Sequence, residues 1–356
     1  MEFSERLAAL RSVMAQKAMD AAVVCKPANV RYLTGFTGSN GTVVVSPRKA
    51  YFLTDFRYKT QAEQQVPGFQ IEIYKNSLNR YLKSLLKRVK SNTVGFEPTF
   101  VSQAQFEKWS SDISATWISM GEAVENLRTI KDQDEIAKIR RAADIADGAF
   151  AHILSIIKPQ ITERDIAVEL EYFMRKLGAQ KNAFDPIVAS GRRSALPHAS
   201  SGVDKIERDA FLVLDFGAVY EGYCSDMTRT VFVGKPKKDA IELYNAVLES
   251  QEKALKKVAT GVLAGEIDST ARSYLGEKGL SEYFGHNLGH GVGLEIHEAP
   301  TIGAKSNCIL QPGMVFTIEP GVYIENMGGV RIEDLVVLGP AGIEILTRTS
   351  KEFFVI

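Results

Sequence analysis

Two aspartates lie on either side of a tight turn, in segments otherwise rich in Val, Leu and Phe. If the turn is centred between Tyr220 and Glu221, Asp215 and Asp226 face each other directly across an antiparallel hairpin. Like charges in directly opposed positions are destabilising, and Asp is a poor strand residue. The pair is therefore predicted to hold something positively charged between its two side chains.

A second hairpin repeats the arrangement with glutamates. A loop centred on Asn326 places Glu319 opposite Glu333. One such acid alone would be interpreted as a residue on a solvated strand face, but two facing pairs on apolar strands argue against that. Four converging carboxylates form a hard, oxygen-rich site that divalent cations neutralise, and shared carboxylates suit two metals about 3.5–4 Å apart.

Histidine is the second signal. The chain has five histidines, and three of them fall within the Gly-rich segment 285–298. One neutral imidazole from this segment can complete a metal site. His286 and His290, four residues apart, would suit zinc on a helix, but glycines at 289, 291 and 293 argue against a helix and allow close backbone approach. His152 lies in a predicted long helix and is interpreted as structural.

The elements that must position these residues change in character near residue 125. Before it, short strands alternate with helices, which predicts a small α/β domain at 1–125. After it, a long amphipathic helix begins at a capping box of Asp132 and Glu135, and a second helix runs from Thr162 to Gly178. The order helix, helix, hairpin then repeats, which predicts an α+β domain of two related halves at 126–356. The strands predicted in the first domain are 21–25, 41–46, 50–54, 69–74, 93–96 and 116–120.

The composition excludes several classes of protein. With 43 Lys+Arg and 43 Asp+Glu in 356 residues, the net charge is zero, which disfavours nucleic acid as a partner. Hydrophobic residues make up 45%, as in globular proteins, and no apolar run reaches the roughly 18–20 residues of a membrane span. The N-terminus lacks a signal-peptide pattern, and the three cysteines are widely spaced. We therefore expect a cytoplasmic protein that has no disulfide framework and makes no membrane contact.

Five ordered segments resemble the signature motifs of the pita-bread metallopeptidases, and most closely those of the Xaa-Pro dipeptidases (prolidases) and Xaa-Pro aminopeptidases. These segments are 214–217, 225–230, 289–298, 317–321 and 330–334. Segments 32–36 and 54–58 resemble the creatinase-type N-terminal domain of the same group, so the resemblance covers the whole chain. It implies a pita-bread catalytic domain that follows a smaller N-terminal α/β domain.

The resemblance also implies which residues bind the metals. Asp215 would be a terminal ligand of one metal, and His290 and Glu319 would bind the other. Asp226 and Glu333 would bridge the two ions. No ligand of the family pattern is missing. The resemblance favours manganese, with cobalt or zinc as alternatives.

Four residues are implied in catalysis. Glu319 would pass a proton to the leaving proline nitrogen and would thus combine the roles of ligand and general acid/base. His198 and His297 would donate hydrogen bonds to the developing oxyanion or to the substrate backbone. Arg331 lies two residues before Glu333, so on a strand both side chains share a face.

The implied activity is hydrolysis of the peptide bond that precedes proline in short peptides, by water that two metal ions activate. A dipeptidase is the first expectation and an aminopeptidase acting on longer peptides the alternative. A homodimer is expected, because relatives commonly use the N-terminal domain to close the partner's active site.

Three other functions are disfavoured. A non-catalytic pita-bread binding module is disfavoured by the complete ligand set, and a methionyl aminopeptidase by the additional N-terminal domain. A Rossmann-type oxidoreductase is disfavoured, because this chain has no Gly-x-Gly-x-x-Gly motif between a strand and a helix.

Overall fold

The computed structural model describes residues 3–356 and divides into two compact units, one ending at Arg128 and the other spanning Thr129–Ile356. A smaller α/β unit thus precedes a larger unit of helices and hairpins, as the sequence predicts. Within the described residues, no helix combines the length and the apolar character that crossing a membrane requires.

The first unit is built on a six-stranded sheet of order β4-β3-β2-β1-β5-β6. All six predicted strands are present, because each is a short run of apolar or β-branched residues bounded by polar turns. They are β1 Ala21–Val24, β2 Thr42–Val45, β3 Ala50–Thr54, β4 Gln70–Ile73, β5 Thr93–Phe96 and β6 Thr116–Ser119. The helices are α1 Phe3–Gln16, α2 Pro27–Thr34, α3 Lys59–Gln65, α4 Leu78–Arg88, α5 Gln103–Asp112 and α6 Ala123–Arg128.

Two pairs of helices organise the second unit, as predicted. They are α7 Gln133–Leu154 with α8 Glu163–Lys176, and α9 Lys238–Lys257 with α10 Ala264–Glu277. The predicted capping box is confirmed, since the Asp132 side chain accepts from the Glu135 amide at 2.9 Å and the Glu135 side chain accepts from the Asp132 amide at 3.0 Å. Thr162 caps α8 in the same way. Local side-chain chemistry therefore sets where both helices of the first half begin.

The strands of the second unit form four sheets of order β12-β9-β8, β11-β10-β7, β14-β13-β15-β18-β19 and β16-β17. In the first half they are β7 Lys181–Asn182, β8 Ile187–Ser190, β9 Ala210–Phe216, β10 Ala218–Tyr220, β11 Tyr223–Cys224 and β12 Met227–Val233. In the second half they are β13 Gly289–Gly291, β14 Glu298–Ile302, β15 Val315–Ile318, β16 Gly321–Ile324, β17 Gly328–Arg331, β18 Asp334–Gly339 and β19 Gly342–Ile345. Each half thus carries its acidic residues on a hairpin.

The predicted register of the first hairpin is wrong by two residues. Strands β9 and β12 pair Asp215 with Thr228 rather than with Asp226. The turn lies at Glu221 and Gly222, whose φ values of 44° and 82° form a tight hairpin turn. Because strand faces repeat every two residues, a shift of two leaves both aspartates on the same side of the sheet, as diagonal neighbours.

The predicted register of the second hairpin is confirmed. Strands β15 and β18 pair Ile318 with Asp334, and β16 and β17 pair Gly321 with Arg331. Both ladders share one register, so Glu319 and Glu333 lie opposite each other in the gap between them.

The two hairpins meet side by side at the centre of this unit. The Glu333 amide donates to the Thr228 carbonyl oxygen at 3.1 Å, and the Arg331 amide donates to Thr230 Oγ1 at 3.1 Å. Apolar residues of α7 and α8 pack behind the first hairpin, and those of α9 and α10 pack behind the second. The helices thus bury the outer faces of the strands and leave the acidic faces directed at one another.

Candidate metal centre

All eight residues proposed for the site line one cavity of about 500 Å³ in the second unit. They are Asp215, Asp226, His290, Glu319, Glu333, His198, His297 and Arg331. His152 does not line it; its Nε2 lies 2.7 Å from Glu169 Oε1, and its ring stacks on Phe173. The zinc-type helical pair of His286 and His290 is absent, because His290 lies in strand β13.

His290 presents an imidazole lone pair to two of the acids. Its Nδ1 lies 3.1 Å from the Gly291 carbonyl oxygen, so Nδ1 carries the proton and Nε2 the lone pair. Nε2 lies 3.5 Å from Asp226 Oδ2 and 3.4 Å from Glu319 Oε1. Burial lowers the pKa of His290 to about 4, so the ring is neutral at neutral pH. One imidazole nitrogen and two carboxylate oxygens thus lie together on one side of the cavity.

The carboxylates keep part of their hydrogen-bonding capacity unused. Glu333 Oε2 accepts from Thr228 Oγ1 at 2.7 Å, and Glu319 Oε1 accepts from Thr317 Oγ1 at 3.0 Å. Three further oxygens are buried and accept no hydrogen bond from any described residue. These are Asp215 Oδ1, Asp226 Oδ1 and Glu333 Oε1. Buried polar atoms are rarely left without a partner, so these oxygens are candidate metal ligands.

The acids also destabilise one another's charged forms. Burial, and then the charges of Glu333, Asp215 and Glu319, raise the pKa of Asp226 well above its ordinary range. Burial, and then Glu319 and Asp215, do the same to the pKa of Glu333. Burial raises the pKa of Glu319 to about 7. These carboxylates are therefore expensive to ionise unless a cation is bound between them.

The residues fit a divalent metal. One ligand atom each from Asp226, His290 and Glu333 lies within 4.8 Å of the others. Carboxylate oxygens with one neutral imidazole are a donor set for hard to intermediate divalent ions. Asp215 and Glu319 line the same cavity and place further carboxylate oxygens beside these three residues.

Arg331 is the fixed cation of the cavity. Its Nη2 forms an ion pair with Asp215 Oδ2, and its Nε donates to Thr228 Oγ1 at 3.1 Å. Its Nη1 donates to the Tyr323 hydroxyl at 2.7 Å and to the Pro197 carbonyl oxygen at 3.3 Å. One guanidinium cannot neutralise four acids, and its hydrogen-bonding nitrogens are already engaged. The predicted shared face with Glu333 holds, since both residues line the cavity.

No feature of the sequence predicts a place for Tyr323 in the site, and for His286 the sequence suggests only a zinc role, which the neighbouring glycines argue against. The Nδ1 of His286 lies 2.7 Å from the Asn287 carbonyl oxygen and its Nε2 lies 3.1 Å from the Tyr323 hydroxyl. Burial lowers the pKa of His286 to about 4, so the neutral ring accepts from Tyr323 while Tyr323 accepts from Arg331. Tyr323 lies in β16, four residues after Glu319, and lines the cavity.

Two threonines orient the acids and were also missed. Thr228 lies two residues after Asp226, and Thr317 lies two residues before Glu319. Alternate residues of a strand share a face, so this spacing was the available signal. His297 lies beside His290, with ring centroids 4.3 Å apart, and lines the cavity.

Comparison with known proteins points to one family. The family model described as Metallopeptidase family M24 matches residues 137–340, and the Creatinase/Prolidase N-terminal domain matches residues 6–130. The chain is 38% identical to the Xaa-Pro dipeptidase of Pyrococcus furiosus, over 98% of this chain and 99% of that protein.

Comparison with solved structures points to the same family. The structure of the Xaa-Pro dipeptidase from Bacillus anthracis is similar with a TM-score of 0.98 and 42% identity, covering 100% of both chains. The X-Pro aminopeptidase from Thermotoga maritima is similar with a TM-score of 0.91 and 40% identity, covering 97% of this chain and 100% of that one. The expected pita-bread fold is thereby confirmed.

The crowded acids predict how the metal-free protein responds to pH. Folding raises the pKa of Glu319 from 4.5 to about 7, so the folded state binds more protons than the unfolded state within that window. The free energy of unfolding of the metal-free protein should therefore fall as the pH rises from 4.5 to about 7. Divalent metal binds the folded state, so adding it should abolish this fall in stability. Differential scanning calorimetry with and without chelator measures both effects.

Asp226→Asn is the matched variant, because it removes one of the repelling charges and keeps the side-chain shape. It should narrow the difference in Tm between the metal-free and metal-loaded forms. Identical Tm values with and without chelator at neutral pH would contradict the account.

Proposed function

The chain belongs to metallopeptidase family M24 and is a metal-dependent hydrolase, and we propose that it cleaves the peptide bond preceding proline with a two-metal centre. The observation that carries the proposal is the cluster of buried carboxylate oxygens without hydrogen-bond partners beside the neutral His290. Both the surplus of negative charge and the unused lone pairs call for more than one cation.

In the proposed metal assignment, five residues would hold the metal. Asp226 and Glu333 would be shared between two ions, Asp215 would belong to one of them, and His290 and Glu319 to the other. Manganese is the proposed metal, and the same ligands accept cobalt or zinc. Bound ions would lower the pKa of water to supply a nucleophile and would polarise the substrate carbonyl.

Protein side chains do the remaining chemistry. Glu319 holds the proton taken from water and delivers it to the proline nitrogen as the C–N bond breaks. Thr317 orients it through the 3.0 Å hydrogen bond to Oε1. His198 and His297 line the cavity, where their ring N–H groups donate to the carbonyl oxygen as negative charge develops on it. Arg331 holds Asp215 in place.

Specificity for proline has a simple physical basis. The X–Pro amide has no N–H group, so a site that recognises it offers no acceptor there and packs the ring against apolar side chains. Phe184, Ile187 and Ile296 line the cavity and provide such a surface.

The length of the substrate separates two candidates. Dipeptides are supported by the name of the Bacillus anthracis relative, an Xaa-Pro dipeptidase. Longer peptides, as for an Xaa-Pro aminopeptidase, are supported by the charges of the cavity. Among the described residues that line it, Arg331 is the only Arg or Lys, and its nitrogens are engaged by Asp215, Tyr323, Thr228 and Pro197. A dipeptidase needs a cation for the free proline carboxylate.

We further propose a cytoplasmic homodimer in which residues 1–125 form the N-terminal domain and 126–356 the catalytic domain. The match of residues 6–130 to the Creatinase/Prolidase N-terminal domain supports this division.

A substrate panel with added Mn²⁺ tests the activity. An Xaa-Pro dipeptidase should release the first residue from Ala-Pro, release little from Ala-Ala, and lose activity markedly on Ala-Pro amide, which lacks the carboxylate. Ala-Pro amide and Ala-Pro-Ala cleaved better than Ala-Pro would instead establish the aminopeptidase. Equal turnover of Ala-Ala and Ala-Pro would contradict proline specificity, and no turnover of any X–Pro substrate by the loaded protein would contradict the proposal.

Substitution of single histidines separates ligand from catalytic residue. His290→Ala should lose bound metal and activity together, because its Nε2 faces Asp226 and Glu319. His297→Ala should keep its metal and lose about 10²–10³-fold in kcat with a smaller change in KM, as for an oxyanion donor. Elemental analysis and steady-state kinetics measure these effects.

His152→Ala is the control, since His152 lies outside the cavity and should change neither metal content nor kcat. Loss of metal from His297→Ala but not from His290→Ala would reverse the two roles. A lower Tm for His297→Ala with normal turnover would make His297 a structural residue.

A further inference from the structure

A buried charged cluster lies directly behind the proposed metal ligands, outside the cavity. It consists of Arg229 and Asp334 with the three side chains that bind Asp334, which are Gln251, Thr347 and Lys351. We propose that Arg229, held by Asp334, is the positioning residue for the ligand Glu333 and thereby sets the affinity of the site for its metal. The inference rests on the proposed function, because it concerns the same metal.

Arg229 holds the main chain of the ligand. Its Nη1 donates both to the carbonyl oxygen of Thr228, at 2.9 Å, and to that of Glu333. The Thr228 carbonyl also accepts from the Glu333 amide at 3.1 Å. The peptide groups on both sides of the Glu333 side chain are therefore fixed to the neighbouring hairpin, and Arg229 ties the two halves of the unit together at the metal site.

The same contacts fix Thr228, the residue that donates a hydrogen bond to the Glu333 carboxylate. Thr228 Oγ1 donates to Glu333 Oε2 at 2.7 Å and accepts from Arg331 Nε at 3.1 Å. Because Arg229 binds the Thr228 carbonyl, it holds the residue that orients the Glu333 carboxylate. Glu333 Oε1, which accepts no hydrogen bond from the described residues, is then left available to a metal ion.

Asp334 fixes the guanidinium in turn. Its Oδ1 lies 2.7 Å from Arg229 Nη2 and accepts from Thr347 Oγ1 at 3.0 Å. Its Oδ2 accepts from Lys351 Nζ at 2.6 Å and from Gln251 Nε2 at 2.8 Å. The side chains of Arg229 and Asp334 are each 1% exposed. Buried ion pairs often stabilise a fold no better than apolar residues of the same volume, so burial of this pair calls for a reason other than stability.

Precise ligand geometry supplies that reason. Metal affinity depends on the groups that orient the ligands, and removing one such group commonly costs 10–100-fold. The forked guanidinium can hold two carbonyls and one carboxylate at once, whereas an ammonium group at the end of a flexible chain cannot. Neither Arg229 nor Asp334 lines the cavity, so neither can act on the substrate directly.

The test is titration of the full-length, metal-free protein with Mn²⁺ by isothermal calorimetry, with Tm measured on the metal-free form. Arg229→Lys keeps the positive charge beside Asp334 but loses the fork. We expect a roughly 10–100-fold weaker Kd for Mn²⁺ in at least one binding step. Thr347→Val removes a neutral donor to the same Asp334 oxygen, and we expect a smaller loss in the same direction, which keeps the test decisive if Arg229→Lys does not fold.

A control separates positioning from stability. Leu170→Ala, in the core behind the first hairpin and outside the charged cluster, should lower Tm and leave the Kd for Mn²⁺ unchanged. Variants of Arg229 and Thr347 with lowered Tm and wild-type Kd would overturn the inference. A wild-type protein that binds no Mn²⁺ would overturn the proposed function as well, and the two failures are distinguished by the wild-type titration.

Discussion

Mutual repulsion among four buried carboxylates is the interaction on which the catalytic unit depends. Asp215, Asp226, Glu319 and Glu333 line a single cavity beside a neutral imidazole, and Arg331 is the one Arg or Lys among the described residues that line it. Burial, and then the charges of the other acids, raise the pKa values of Asp226 and Glu333, and burial raises that of Glu319. Such a cluster is unstable by itself, and its tolerance in the fold is best explained by the binding of divalent ions.

The architecture holds these acids together although acidic residues are disfavoured on strands and next to one another. Each half contributes one hairpin, and main-chain hydrogen bonds from Glu333 and Arg331 to the first hairpin set the two acidic faces against each other. Helices on the outer faces bury the apolar side chains of the strands, and the acids line the cavity on the opposite side. Arg229 and Asp334 add a rigid link behind Glu333, where flexible packing would let a ligand move away from its neighbours.

Much of this was predictable from the sequence, for identifiable reasons. Periodicity and capping residues located the helices, because the Asp132–Glu135 capping box is a local interaction that needs no tertiary context. The register of the second hairpin followed from a loop centred on Asn326. That of the first was misjudged because the Glu221-Gly222 pair, rather than Tyr220 and Glu221, forms the turn with positive φ. Gly in the second central position was the signal that should have fixed it.

Other parts of the site depend on tertiary structure. The carboxylates and His290 were recognised because acids are anomalous on apolar strands, whereas Thr228 and Thr317 are ordinary strand residues whose hydroxyl groups acquire a role only when the acids are adjacent. Tyr323 and His286 meet only after the second hairpin folds. Nothing in the sequence distinguishes Arg229 from a solvent-exposed arginine, since its carbonyl partners come from both halves.

The account is tested most directly by a crystal structure of the protein loaded with Mn²⁺, with anomalous scattering used to locate the ions. It predicts two ions per chain, about 3.5–4 Å apart, with Asp226 and Glu333 bound to both. A fully active protein with a single ion, or with ions that leave Asp226 or Glu333 unbound, would contradict the claim that two cations resolve the repulsion among the four acids.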